Sequence, residues 1–194
     1  HQGRAADLHQ AHHAGDRGKR VVLKSCAHTA RIRMLLEMFP DARFVHIHRN
    51  PYETFSSTLH MRSKTDWENF FQRPQREFIE QRWAHTAKIG RRIYERIIED
   101  RALIPAEHFV EIAYKDFVGN ELAVLRSIYA KFRLPDWDRQ AATIGPYLDS
   151  LRGYQRNRLD ISEELREFVH DRWRPAFDAY GVVRSPGGGP SFAR

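Results

Sequence analysis

The sequence predicts an α/β domain built on a parallel sheet. A β-branched run at residues 21–23 is followed by apolar residues spaced as on one face of a helix, namely Ile32, Leu35, Leu36 and Phe39. A second apolar run at 44–47 precedes another predicted helix, which begins at Pro51. Alternation of strand and helix is typical of parallel sheets, because each helix carries the chain back to the same end of the sheet.

The same two patterns continue along the chain. Residues 75–101 form the longest helical pattern, and a third strand is predicted at 109–114, with Asp116 as the N-cap of the next helix. The apolar spacing from Leu122 to Phe132 predicts that helix, and helical patterns recur near 137–151 and 162–179.

Composition limits the class of protein. A length of 194 residues suits one domain with a substantial core, and 41% hydrophobic with 29% charged residues is typical of a globular protein. No run approaches the roughly 20 apolar residues of a membrane span. The net charge of +7 favours anionic ligands in general. Because the basic residues are scattered rather than gathered in blocks, we do not expect nucleic acid as a partner.

We expect three parts: a partial N-terminal segment at 1–20, the α/β domain at 21–183 and a disordered tail at 184–194, which lacks a core-forming pattern. Cys26 is the sole cysteine, which excludes an intrachain disulfide framework and fits a reducing compartment, so we expect a cytoplasmic location. The histidines near the N-terminus have no cysteine or carboxylate cluster beside them, so no metal site is expected.

A candidate anion site lies where the second predicted strand meets its helix. The strand ends at Arg49, Pro51 takes the first helical position, and Ser57 follows roughly two turns later. A guanidinium offers a two-pronged donor and a hydroxyl offers a neutral one, a combination that suits phosphate. These residues favour an enzyme that handles a nucleotide.

Lys24 and His28 form a second candidate group, after the first predicted strand. Ligands of open parallel sheets bind beyond the carboxyl ends of the strands, so we expect Lys24 and Arg49 to face one crevice. An imidazole titrates near neutral pH and suits a general base. A histidine at a helix start is more often structural than catalytic, which leaves both roles open for His28.

The segment KRVVLKSCAHTARIRMLLEMFPDARFVHIHRNPYETFSSTL, residues 19–59, resembles the sulfotransferase family that uses 3′-phosphoadenosine 5′-phosphosulfate (PAPS). In that family a strand ends in arginine, Asn-Pro or Asp-Pro follows, and a serine eight residues after the arginine helps to grip the 3′-phosphate. Arg49 and Ser57 match this pattern, and LLEMFPDARFVHIHRNPY is its most specific part.

Other segments extend the resemblance over residues 19–181. Lys24 and His28 match a Lys-Ser-Pro-x-His pattern of bacterial members, with Cys26 in place of the proline. Tyr114 matches a tyrosine that lies near the adenine in relatives, and Arg156 falls in a late segment that covers the cofactor, where it is a candidate second phosphate ligand.

The resemblance implies a three-layer α/β fold of the P-loop NTPase-like type. It also implies transfer of a sulfuryl group from PAPS to a hydroxyl or amine acceptor, without a metal. Arg49 and Ser57 would hold the 3′-phosphate, and Lys24 would stabilise charge on the leaving phosphate or the sulfuryl group. His28 would accept the acceptor's proton or, since some members carry asparagine there, position the substrate or the cofactor.

One departure concerns the family's first strand and phosphosulfate loop, which are expected upstream of Lys24. Nothing in residues 1–20 matches them. Such a loop supplies backbone N–H donors and a cation to the phosphosulfate. We therefore expect this chain to be the C-terminal portion of a longer enzyme, without the first βα unit and inactive by itself.

Two alternatives stay open at this point. A nucleotide kinase or other P-loop phosphotransferase would share the fold but needs a Gly-rich loop with a following lysine, whereas the glycines at 187–189 lie in the tail. A non-catalytic basic module could bind nucleic acid or a sulfated polysaccharide. Within the sulfotransferase hypothesis, small-molecule, carbohydrate and lipid acceptors are all compatible with the sequence, and the oligomeric state is not indicated.

Overall fold

The computed structural model describes residues 20–65, 76–151, 153 and 161–182. The strands are β1 (Phe44–His48) and β2 (Phe109–Ala113). The α-helices in these ranges are α1 (Ile32–Met38), α2 (Pro51–Thr65), α3 (Arg76–Asp100), α4 (Tyr114–Phe117), α5 (Glu121–Lys131), α6 (Trp137–Ser150) and α7 (Glu163–Tyr180). Short 3₁₀ helices lie at Cys26–Ala30, Arg101–Leu103 and Ala106–His108.

β1 and β2 pair in parallel, with His46 opposite Glu111 and His48 opposite Ala113. Because the strands are parallel, both of their carboxyl ends lie at one edge of the sheet, where β1 leads to α2 and β2 runs into α4. On one face Val45 and Ile47 are 43% and 48% exposed. The predicted α/β class with a parallel sheet is confirmed, and both of these strands lie within one residue of their predicted bounds.

The strand predicted at residues 21–23 is wrong. Residues 20–25 form no regular element, and Val22 and Leu23 are 85% and 56% exposed. A strand needs a neighbour to complete its hydrogen bonds, and in the described ranges the sheet pairs β1 with β2 alone. Lys24 consequently lies in an exposed irregular segment and not at a strand end. The helix expected from Thr29 begins as the 3₁₀ turn and continues as α1.

Asp116 is not an N-cap, which corrects a second expectation. β2 passes directly into the single turn of α4, and that turn contains Asp116. Gly119 then reverses the chain with a φ of 84°, a left-handed conformation that glycine adopts without steric cost. Asn120 precedes α5 as its N-cap.

The main hydrophobic core lies between α2, α3 and α7 and is centred on Trp173. This side chain is 2% exposed, and its Nε1 donates to the carbonyl oxygen of Ala87 at 2.8 Å. Its ring lies against Gly90 and meets Phe55 and Tyr94 edge-on, with centroids 5.1 and 5.2 Å away. Trp173 thereby contacts residues of both α2 and α3.

α7 has a defined start, kink and end. Ser162 caps its start, since the side-chain oxygen accepts from the Leu165 amide at 3.3 Å. The backbone at Trp173 leaves the helical region two residues before Pro175, which cannot donate an amide hydrogen bond. Gly181 ends the helix with a φ of 61°.

A second core cluster joins α3 to the sheet and α1. Ile32, Ile97 and Ile104 are buried there, and the partly buried side chains of Leu36, Phe44, Ile98 and Phe109 pack against them. α3 therefore contributes to both clusters, as its length and predicted apolar face indicate. The predicted N-terminal segment up to residue 19 and the predicted tail at 184–194 lie outside the described residues. Within the described ranges, no helix is both long and apolar enough to cross a bilayer.

Replacement of Gly90 by alanine is expected to destabilise the fold. The added Cβ would lie 2.1 Å from Cζ2 of Trp173, so α3 and α7 would have to separate. Overpacking of this kind costs about 1–3 kcal/mol in the free energy of unfolding. Urea denaturation followed by circular dichroism measures that free energy.

The same substitution in a Trp173→Phe background provides the control, because the smaller ring gives the Cβ more room. We expect Gly90→Ala to cost less there, so that the two substitutions are not additive. Gly153→Ala, whose Cβ would have no neighbour within 4 Å, should change stability by less than about 0.5 kcal/mol. Equal costs in both backgrounds would mean that the indole contact is not responsible.

Candidate functional site

Arg49 occupies the junction between β1 and α2. Asn50 follows it and caps the helix, because its Oδ1 accepts from the Tyr52 amide at 2.9 Å and its carbonyl oxygen accepts from the Thr54 amide at 2.9 Å. Pro51 takes the first helical position, where the missing amide hydrogen costs nothing. The strand end, the cap and the proline together fix the backbone that carries Arg49.

The guanidinium of Arg49 is held on one edge and one face. Its Nε donates to Oε2 of Glu53 at 2.6 Å, one turn into α2. Its Cζ lies 4.9 Å from the ring centroid of Tyr114, the first residue after β2. The parallel sheet therefore brings together two residues that the sequence places 65 positions apart. The arginine side chain is 36% exposed, so it remains accessible to a ligand.

The other predicted site residues are more dispersed. Ser57 is exposed on α2, about 9 Å along the helix axis from Pro51. Lys24 is exposed, and His28 lies half-buried in the 3₁₀ helix that packs on α3. No hydrogen bond or ion pair of the described residues joins Ser57, Lys24 or His28 to Arg49. Arg156 lies outside the described residues.

The ring nitrogen Nδ1 of His28 is buried and has no hydrogen-bond partner within the described ranges. Which nitrogen of a neutral histidine carries the proton is set by the hydrogen bond that the other makes. No described contact therefore fixes the tautomer of His28.

A polar group that the sequence analysis missed lies on the helix-facing side of the sheet. His48 stacks on Tyr180 of α7, with ring centroids 4.3 Å apart and planes 13° apart. Nδ1 of His46 lies 3.0 Å from Oε1 of Glu111, whose Oε2 accepts from Arg101 at 3.3 Å. The signal was present in β1, since residues 46 and 48 share one face of a strand.

Burial has the largest effect on the pKa values of His48 and Tyr180. It lowers the pKa of His48, and His46 and Lys115 lower it further, whereas Glu111 and Asp116 act in the opposite direction. Burial also raises the pKa of the Tyr180 phenol well above its ordinary value, with Glu111 adding to the effect. Both rings are therefore neutral near pH 7, and His48 directly precedes Arg49 in sequence.

The comparison with known families decides the identity of the domain. A family model described as the sulfotransferase family matches residues 2–139, a region that includes both strands and Arg49. This chain belongs to the sulfotransferase family.

Two curated sulfotransferases are similar to this family member. It is 31% identical over 168 residues to omega-hydroxy-beta-dihydromenaquinone-9 sulfotransferase Stf3 of Mycobacterium bovis and of Mycobacterium tuberculosis. The alignments cover 87% of this chain and 42% of each relative, so the chain spans less than half the length of the curated proteins that it matches.

A solved structure supports the fold. The crystal structure of sulfotransferase STF9 from Mycobacterium avium matches with a TM-score of 0.61 and 21% sequence identity. The match covers 81% of this chain and 41% of that one. This structural match confirms the predicted P-loop-like sulfotransferase fold.

The lowered pKa of His48 predicts a pH-dependent stability. The unfolded chain takes up a proton at this histidine below about pH 6.5, before the folded protein does, so the unfolding free energy falls as the pH falls. Wild-type protein should therefore lose more stability between about pH 7.5 and about pH 5.5 than His48→Phe, which keeps a ring against Tyr180. Urea denaturation at both pH values measures this, and equal losses would exclude His48 as the cause.

Proposed function

We propose that this chain forms part of an enzyme that transfers a sulfuryl group from PAPS, and that Arg49 grips the 3′-phosphate. The observation that carries the proposal is the guanidinium of Arg49, held by Glu53 and Tyr114 at the carboxyl edge of the sheet. Within the described residues neither Nη group donates to a protein acceptor. Those two nitrogens provide the parallel donors of a bidentate phosphate contact, and Ser57 provides a further hydroxyl.

In the proposed reaction the acceptor oxygen or nitrogen forms a bond to the sulfur of PAPS. The bond from that sulfur to the bridging phosphate oxygen breaks, and adenosine 3′,5′-bisphosphate leaves with the electron pair. His28 takes the acceptor's proton, and Lys24 stabilises the charge that develops on the leaving phosphate. Positioning and electrostatic stabilisation account for most of the rate, as in phosphoryl transfer.

We further propose a hydroxyl-bearing lipid as the acceptor class. The support is the 31% identity to Stf3, an omega-hydroxy-beta-dihydromenaquinone-9 sulfotransferase, whose name describes a hydroxylated menaquinone as the acceptor. Small molecules and carbohydrates are the alternatives. Cys26 as the sole cysteine supports a cytoplasmic location for the reaction. The family match favours sulfuryl transfer over the phosphotransferase and polyanion-binding alternatives.

Arg49→Ala is expected to weaken binding of adenosine 3′,5′-bisphosphate by about 30-fold or more, because a charge-assisted bidentate contact is lost. Calorimetric titration measures the affinity of this chain and, in parallel, of the longer enzyme of which we propose that this chain forms part. Arg91→Ala is the matched control, since Arg91 donates to Glu95 at the same 2.6 Å and the same i,i+4 spacing on the surface of α3. Unchanged affinity in Arg49→Ala would remove the proposed phosphate site.

His28→Ala in the longer protein is expected to lower kcat by about 10²–10⁴-fold, the usual range for loss of a general base. The affinity for adenosine 3′,5′-bisphosphate should change by less than about twofold, because the proposed role concerns the acceptor's proton. Steady-state kinetics and titration give the two numbers separately. Unchanged kcat would exclude His28 from the chemistry, and a loss confined to acceptor KM would make it a positioning residue.

A further inference from the structure

We infer that Glu53 is a positioning residue for Arg49. Its carboxylate holds the guanidinium by Nε, so that the two Nη groups are turned outward before the 3′-phosphate arrives. The inference rests on the proposed function, since it concerns the same ligand, but it assigns a role to a residue outside the predicted set. Glu53 touches Arg49, and it acts on the ligand through that side chain.

The geometry restrains the guanidinium in two directions. The 2.6 Å hydrogen bond between Nε of Arg49 and Oε2 of Glu53 fixes one edge of the planar group. The Tyr114 ring, 4.9 Å from Cζ, restrains one of its faces. The edge that remains is the one with the paired Nη donors, which is the edge that binds two oxygens of a phosphate at once.

The position of Glu53 in the helix separates this role from ordinary capping. Counted from the N-cap Asn50, Glu53 is the third helical residue, where a glutamate commonly reaches back to the N-cap amide. Here the Asn50 side chain caps the helix through the Tyr52 amide, and the carboxylate of Glu53 binds Arg49. The contact of the glutamate is thus directed at the arginine rather than at the helix backbone.

The negative charge of Glu53 opposes binding of a phosphate, whereas its hydrogen bond to Arg49 favours binding. A carboxylate one side chain away from a phosphate ligand repels it, so charge alone would make Glu53 unfavourable for binding. A compensating gain comes from order, because an arginine that is already fixed loses less rotamer freedom when the ligand binds. Immobilising such a side chain on binding weakens affinity by about two- to tenfold.

The effect of the charge and the effect of ordering Arg49 can be separated with Glu53→Gln and Glu53→Ala, which remove the same charge. Glutamine keeps an oxygen that can accept from Nε, whereas alanine does not. We expect Glu53→Gln to bind adenosine 3′,5′-bisphosphate about two- to tenfold more tightly than Glu53→Ala. Equal affinities of the two variants in calorimetric titration would overturn the inference.

Three controls tie that difference to the arginine and the 3′-phosphate. It should vanish for adenosine 5′-monophosphate, which lacks the 3′-phosphate, and it should vanish in an Arg49→Ala background. Glu95→Gln and Glu95→Ala, in the surface pair of the same geometry, should not differ. Glu53 is about one-third exposed, so both variants are expected to fold, which thermal denaturation checks.

The exchange of the Arg49 Nε–H with solvent, followed spectroscopically, reports whether its hydrogen bond to residue 53 is formed. The Nε–H of Arg49 should exchange slowly with solvent in wild-type protein and in Glu53→Gln, and faster in Glu53→Ala. If wild-type protein binds the ligand, Arg49→Ala does not, and the two Glu53 variants are alike in affinity and exchange, the inference fails while the proposed function stands. If wild-type protein does not bind in either this chain or the longer protein, both are overturned.

Discussion

The indole of Trp173 lies across Gly90, and its one N–H donates to the backbone of α3 at Ala87. A glycine at this point lets two helices approach until a ring touches a backbone, and any larger residue would separate them. Phe55 of α2 also meets the indole edge-on, so the same ring contacts α2. Since Arg49 lies two residues before the start of α2, the position of the site depends on this buried contact.

α7 also links this core to the carboxyl edge of the sheet. Its middle supplies Trp173, and its last residue, Tyr180, stacks on His48 at the end of β1. Both rings of that pair are uncharged near neutral pH, a state that burial favours, so they add no charge next to Arg49. Arg49 and its partner Glu53 form the ion pair at this junction.

Much of this arrangement could be predicted from the sequence, because it depends on local patterns. The apolar periodicities locate the long helices and two strands, and the Arg-Asn-Pro sequence at 49–51 locates the junction. Residues 21–23 were mispredicted because an apolar run becomes a strand only when it finds a partner, and composition does not reveal one. The pairing of Arg49 with Tyr114 was inaccessible for a related reason, since the register of β1 and β2 brings them together.

Glu53 shows a different limit. A glutamate three residues after an asparagine indicates a helix start, and this structural role is enough to explain the residue without a functional one. Only the three-dimensional structure shows which of the possible donors hydrogen-bonds to its carboxylate. Side-chain choices among nearly equivalent local partners are decided by the fold around them, not by spacing along the chain.

The half-exposed face of the sheet has a consequence for handling the protein. Val45 and Ile47 lie open on a sheet of two strands within the described residues, and each strand there has one edge without a ladder partner. Open edges beside apolar side chains are templates for pairing with another molecule. A net charge of +7 opposes that association through repulsion, and salt screens the repulsion. Association between molecules of this chain should therefore increase with ionic strength, and a dilute, low-salt buffer is the condition that opposes it.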